Sequence, residues 1–158
     1  MRRLDKQVID PDEIDQIIRS CQVCRLALAL DNEPYLVPVN FGYDGQAIYL
    51  HTAATGRKIE FFEENPRVCF GFESDHQLLD DPQTACRWTM NYSSVIGYGT
   101  IRELVSEEEK RFGLNQIMRH YSGRGDWNFG ERDLAPTRLW RIDIESVSGK
   151  KSPSRSKH

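Results

Sequence analysis

Residues 35–52 read YLVPVNFGYDGQAIYLHT, two apolar runs rich in β-branched and aromatic residues around Asp44-Gly45. Asp-Gly between such runs is the strongest short-range signal of a β-hairpin. A hairpin this tight requires antiparallel pairing, because parallel neighbours need a crossover of a dozen or more residues. The flanking sequence continues the theme. VCRLALAL (23–30) alternates, with Leu26, Leu28 and Leu30 on one face, and the DNE after it makes a turn. RVCFGFES (67–74), SSVIGYGTIREL (93–104) and RLWRIDIESV (138–147) complete six predicted strands. Pro38 places its strand at an edge or a bulge, since it donates no ladder hydrogen bond. The glycines in SSVIGYGTIREL mark bends or close backbone approach.

Helix signals fall between and around these strands. Asp10 is an N-cap, with Pro11 at the first helical position and Glu13 three residues after the cap. Ile14, Ile17, Ile18 and Cys21 form its apolar stripe. Ser106 and Glu109 make a capping box, followed by a stripe of Leu114, Ile117, Met118 and Tyr121. KIEFFEE predicts a short helix after the strand QAIYLHT. Residues 75–91 read as a long polar loop, and SGRGDWNFGERD (122–133) as a Gly-rich loop holding Trp127 and Phe129. Exposed loop aromatics point to an interface or a ligand lid, whereas Trp140, on an alternating strand, reads as core. Together these features predict an α+β, mainly β fold: a small antiparallel barrel with peripheral short helices.

Size and charge narrow the function classes. The 158 residues suit one domain over 1–148, followed by a Ser- and Lys-rich basic tail over 149–158. A net charge of −3 argues against general nucleic-acid binding. No apolar run reaches the length of a membrane span. The opening MRRLDKQVIDPDE has no apolar stretch after its arginines, so a cytoplasmic location is expected. CQVC (21–24) has C-x-x-C spacing, but no second such pair or paired histidines accompany it. Cys21, Cys24, Cys69 and Cys86 are expected to be reduced, mostly buried thiols, with no metal site.

The segment HTAATGRKIEFFEE (51–64) poses a question of charge. Arg57 and Lys58 open its helix, where the partial positive charge favours acids, and Glu63 and Glu64 close it. Solvated cations on a frayed turn are one explanation. The other is a ligand: a helix N-terminus is an anion site, and Arg and Lys add a clamp for a phosphate dianion. Neither a P-loop nor a dinucleotide fingerprint is present to compete.

IYLHTAATGRKIEFF resembles the flavin-binding segment of the pyridoxamine 5′-phosphate oxidase superfamily, the FMN-binding split barrels. PYLVPVNFGYDGQAIYLHTAATGRK with YSSVIGYGTIREL is similar to its 5-nitroimidazole-reductase-like branch, and the resemblance spans about residues 2–148. It implies a split β-barrel that pairs as a homodimer, with FMN in the interface. It further implies that Val39 and Asn40 lie along the isoalloxazine edge. His51, Thr52 and Ala53 would run from the ring to the ribityl chain, and Arg57 and Lys58 would clamp the phosphate. Ser94 would reach the same FMN from the second subunit. His51 is the expected catalytic residue, as proton donor or substrate contact, although a strand histidine bonded to a backbone carbonyl is the commoner case. Asn40 can equally mark a bulge.

The expected activity is an FMN-dependent reduction of a small substrate, with nitroaromatics as the candidate class and NADH or NADPH as the candidate electron donor. Pyridoxamine 5′-phosphate oxidation is not expected, because the last strand runs into GKKSPSRSKH and not into an Arg-x-His-type substrate segment. The alternatives are a non-catalytic FMN-binding or stress-sensing protein, and a haem- or deazaflavin-binding relative.

Overall fold

The computed structural model describes residues 4–152. After a 3₁₀ turn at Leu4–Lys6 the order is β1 (Gln7–Val8), α1 (Pro11–Ser20), β2 (Cys24–Leu30), β3 (Glu33–Val39), β4 (Gly42–Tyr43) and β5 (Ala47–Thr52). Then follow α2 (Arg57–Glu64), β6 (Arg67–Leu79), β7 (Thr89–Leu104), α3 (Glu107–Ser122), α4 (Glu131–Leu134) and β8 (Arg138–Lys151). All pairings are antiparallel, in the order β3-β2-β6-β7-β8-β5-β4, with β1 added to β8.

The two ends of that path are consecutive in the chain. Only Asn40 and Phe41 separate β3 from β4, so the run expected as one strand over 35–43 turns there from one sheet edge to the other. The chain itself thereby joins the open sheet into a split barrel. Pro38 sits in β3, the edge strand, as its missing N–H requires. Asp31 and Asn32 are both left-handed (φ 48° and 65°), which makes a two-residue turn into Glu33. Asp44 accepts the N–H groups of Gln46 and Ala47, both at 2.8 Å, to fix the second hairpin.

One core fills the barrel, drawn from α1, α2 and the inner faces of β2 to β8; Leu26, Ile48, Leu50, Phe70, Phe72, Val95 and Ile142 are fully buried. A second cluster of Ala47, Tyr49, Leu104, Ile117 and Leu139 lies under α3. There the helix backbone comes so close to β4 that a Cβ on Gly42 would lie 2.4 Å from the Ile117 nitrogen. As a result α3 buries Gly113, Gln116 and Ile117, and the expected stripe is displaced: Leu114 and Met118 are half-buried and Tyr121 is exposed.

Several boundaries differ from the sequence expectation. The loop expected over 75–91 is a paired arm except at 80–88, because β6 and β7 continue past the barrel. A register shift between Ser74 and Gln77, with Asp75 at φ 59°, breaks the alternation that would have announced those strands. Residues 149–152, expected in the tail, are ordered into the sheet. Gly149–Lys151 pair with β7, Lys151 bonds Glu13 at 2.8 Å, and Ser152 exchanges hydrogen bonds with Tyr92. Residues 153–158 lie outside the described residues. Cys21 and Cys24 are buried free thiols and burial raises both pKa values, but Cys69 is half-buried and Cys86 exposed.

Candidate functional site

Strand β5 is buried on both faces from Ala47 to Leu50 and then emerges, with His51 exposed and Thr52 turned back inward. The Thr52 hydroxyl donates to the Ala53 carbonyl (2.9 Å) and accepts from Trp140 Nε1 (3.1 Å). Trp140 pairs with Leu50 across the ladder and packs edge-on against Phe62 of α2, ring centroids 5.0 Å apart. One indole therefore fixes the end of β5 to the helix that follows it.

Residues 53–57 are exposed. Gly56 (φ 141°) precedes α2, offers the helix no side-chain cap, and faces open space where a Cβ would stand. The first-turn N–H groups of a helix need partners; here the Gly56 carbonyl takes the Ile59 N–H (2.9 Å) and no side chain caps the turn. Lys58 is half-buried and has no ion pair or hydrogen bond among the described residues. Arg57 is engaged: its guanidinium pairs with Glu33 at the start of β3 and lies over the rings of Tyr35 (5.3 Å) and Phe61 (5.8 Å). At the other end of α2, Glu63 bonds Arg138 at 2.8 Å, which accounts for one of the two closing acids. An uncapped N-terminus with two cations fits a phosphate group, so the residues present suit a flavin phosphate.

Val39 is buried and Asn40 exposed where the chain crosses between the sheet edges. The β4–β5 register, Gly42 opposite Tyr49, counted back two residues, brings Asn40 and His51 to the same end of that ladder. The sequence did not reveal what holds this crossing. Tyr121 Oη accepts the Phe41 N–H (3.1 Å) and donates to the Gln22 carbonyl (2.7 Å). His120 stacks on Phe41 at 4.2 Å and contacts the Cys21 carbonyl through Nε2 at 2.8 Å. Burial pushes the His120 pKa down. A tyrosine at the end of an apolar stripe looks like packing; its use as a two-way hydrogen-bond bridge is a matter of tertiary position.

Ser94 stands apart. His51 shares a ladder row with Leu139, and Leu139 with Leu104 of β7. Ser94 lies ten positions from Leu104 on the same strand, roughly 33 Å along it. Ser94 instead faces outward between Glu73 and Lys150, on the same side as the exposed Ile96 and Tyr98. The Trp127 segment is bound to α3, with the Trp127 N–H on Asn115 Oδ1 (2.8 Å) and Arg111 donating to the Phe129 carbonyl; the Trp127 ring remains partly exposed beneath Arg124.

The family profile described as pyridoxamine 5′-phosphate oxidase matches residues 10–151. A solved structure described as a 5-nitroimidazole antibiotic resistance protein, from Bacteroides thetaiotaomicron VPI-5482, is 30% identical with a TM-score of 0.81, covering 92% of this chain and 86% of that one. An FAD-binding protein from Mesorhizobium loti is 27% identical with a TM-score of 0.68, covering 92% of this chain and 96% of that one. An uncharacterised protein of Rhizobium meliloti (strain 1021) is 29% identical over 62 residues, 39% of this chain, and the match spans only 40% of that protein's length.

Proposed function

Because the chain belongs to the pyridoxamine 5′-phosphate oxidase family, we propose that it is an FMN-dependent reductase of a small, nitroaromatic-type substrate, working as a homodimer. Members of this family bind flavins, and the observation that carries the reading here is the start of α2. Its uncapped Gly56 and adjacent Arg57 and Lys58 suit a terminal phosphate dianion at the open end of β5. The resistance protein from B. thetaiotaomicron supports the substrate class.

In this reading the flavin supplies the redox chemistry, taking electrons from NADH or NADPH and passing them to the substrate. The protein's own residues bind and orient. Arg57 and Lys58 hold the phosphate. Thr52, locked by Trp140, keeps the Thr52–Ala53 backbone in place along the ribityl chain. Val39 and Asn40 border the ring, on a crossing steadied by Tyr121. His51, exposed beside them, presents an imidazole to the ring as proton donor or substrate contact.

Distance supports the second copy. Ser94 lies far from the His51 end within one chain, on an outward face that exposes large apolar side chains beside the Arg25–Glu73 ion pair. Leu36, Ile96 and Tyr98 are 63%, 52% and 46% exposed, with Ala27 and Cys69 completing the row that joins Leu36 to Tyr98. Contiguous apolar surface of this kind marks an interface. In the homodimer each site takes Arg57 from one protomer and Ser94 from its partner.

Three measurements test the reading. The ligand that co-purifies is identified by absorbance and mass. FMN is the expected result; FAD, as the M. loti relative suggests, would change the cofactor, and haem or no ligand would sink the reading. Flavin reduction by NADH or NADPH, followed by turnover of a 5-nitroimidazole, separates a reductase from a flavin-holding protein. Sedimentation should place the flavin at twice the 18.3 kDa chain mass.

A further inference from the structure

Arg57, one of the two cations read as the phosphate clamp, already has an anion on it. The two-residue turn at Asp31–Asn32 delivers Glu33 to the start of α2, where its carboxylate pairs with the Arg57 guanidinium. The arrangement is built. Tyr35, two residues on in β3, packs against Phe61 with centroids 5.2 Å apart, and both rings lie under the guanidinium. Asn65, next to the end of α2, bonds the Ala29 carbonyl at the end of β2 (2.9 Å). Strand turn and helix are therefore held together at both of their ends, and Glu33 remains beside Arg57 when the clamp is called upon.

We propose that Glu33 is a resident competitor for Arg57, so that a flavin phosphate binds by exchanging with the Glu33 carboxylate. This rests on the flavin-phosphate reading of α2. The exchange breaks one ion pair for each phosphate bound, and it leaves a carboxylate near the incoming dianion. Glu33 thus sets the affinity for phosphate-bearing flavins below what the clamp alone would give, while a flavin without phosphate is untouched. Both partners are about half exposed, 53% and 61%, and such pairs contribute about 0.2–1 kcal/mol. That corresponds to an affinity change of about 1.4- to fivefold.

FMN and riboflavin are titrated into the flavin-stripped full chain and three variants: Glu33→Gln, Arg57→Ala and the double variant. Melting temperatures verify that each is folded. Glu33→Gln is expected to tighten FMN about 1.4- to fivefold and leave riboflavin unchanged, and the gain is expected to vanish in the Arg57→Ala background. Unchanged or weakened FMN binding in Glu33→Gln overturns the competition. So does equal tightening of riboflavin, or a gain that persists without Arg57, which would mark simple repulsion. If the parent chain shows no preference for FMN over riboflavin, the phosphate reading itself falls, and this inference with it.

Discussion

The two ends of the barrel are built differently. At the His51 end, α2 and α3 close over β5 and β8: Leu50, Leu104 and Leu139 are buried, and Trp140 ties Thr52 to Phe62. At the Ser94 end, β6 and β7 run beyond the barrel as an arm, where Leu78 and Met90 face each other across the ladder and both are exposed, with Trp88 nearby in the tip. The first end buries most of its apolar groups within one chain, Val105 and Phe112 excepted, and leaves the residues ahead of α2 open. The second leaves Leu78, Met90, Ile96 and Tyr98 open. Outward positions Met90, Ser94, Ile96 and Tyr98 lie on one side of β7, so the arm and the apolar face are continuous. That contrast explains why contacts implied for one cofactor fall at opposite ends of the molecule.

Substitution at the packed end should have the largest effect. Trp140→Ala removes a buried indole and its bond to Thr52, and should lower unfolding stability by about 3–5 kcal/mol. Met90→Ala on the arm should change stability by no more than about 0.5 kcal/mol. Denaturant melts of both variants check this, and equal losses would erase the distinction between the ends.

Next in size is Arg57→Ala, which should weaken FMN by about 1.5–3 kcal/mol, roughly ten- to a hundredfold, and leave riboflavin unaffected. Equilibrium titration of both ligands reads it directly. Ser94→Ala should cost about 0.5–1.5 kcal/mol of flavin affinity, a few-fold change, without altering the melting temperature. An unchanged affinity would remove Ser94 from the site and with it the main reason for a shared one.

The smallest effect concerns pH. Burial depresses the His120 pKa below its ordinary 6.5; the bond to the Cys21 carbonyl opposes this and the Arg19 charge adds to it. A group held neutral in this way contributes stability that is present above the unfolded value and is lost as pH falls through the lower folded one. The drop in melting temperature between about pH 7.5 and about pH 5.5 should therefore be smaller in His120→Gln than in the parent chain. An identical drop would show that His120 does not carry it.

Much of this could be read from residues in order along the chain, because the governing interactions are local. The Asp10-Pro11 cap, the Ser106–Glu109 capping box and the Asp44-Gly45 hairpin form as expected. The alternating strands pair as their patterns predict. The arm at 75–91 was illegible because a bulge interrupts it and most of its residues are exposed, Leu79 excepted, so it carries no run of alternating apolar residues. The shift of α3's buried face arises from the close approach to Gly42, a long-range contact. At the candidate site the cations of α2 were legible as an electrostatic anomaly. Their neighbour Glu33 was not, since 24 residues separate it from Arg57. Tyr121 lies 80 residues from Phe41, and its role appears only once the helix is docked.

The claim that two chains complete one site can be tested by complementation. Arg57→Ala and an obstructing Ser94→Trp variant are each prepared as homodimers, in which every site carries one defect. Co-expressed, they form a heterodimer in which one site has both defects and the other has neither. Flavin content is then measured on the purified heterodimer at a concentration where both parent variants are empty. One tightly bound flavin per heterodimer, with the parent chain's spectrum, is the expected result. A heterodimer as empty as its two parents, or a flavin-loaded monomer, would contradict it.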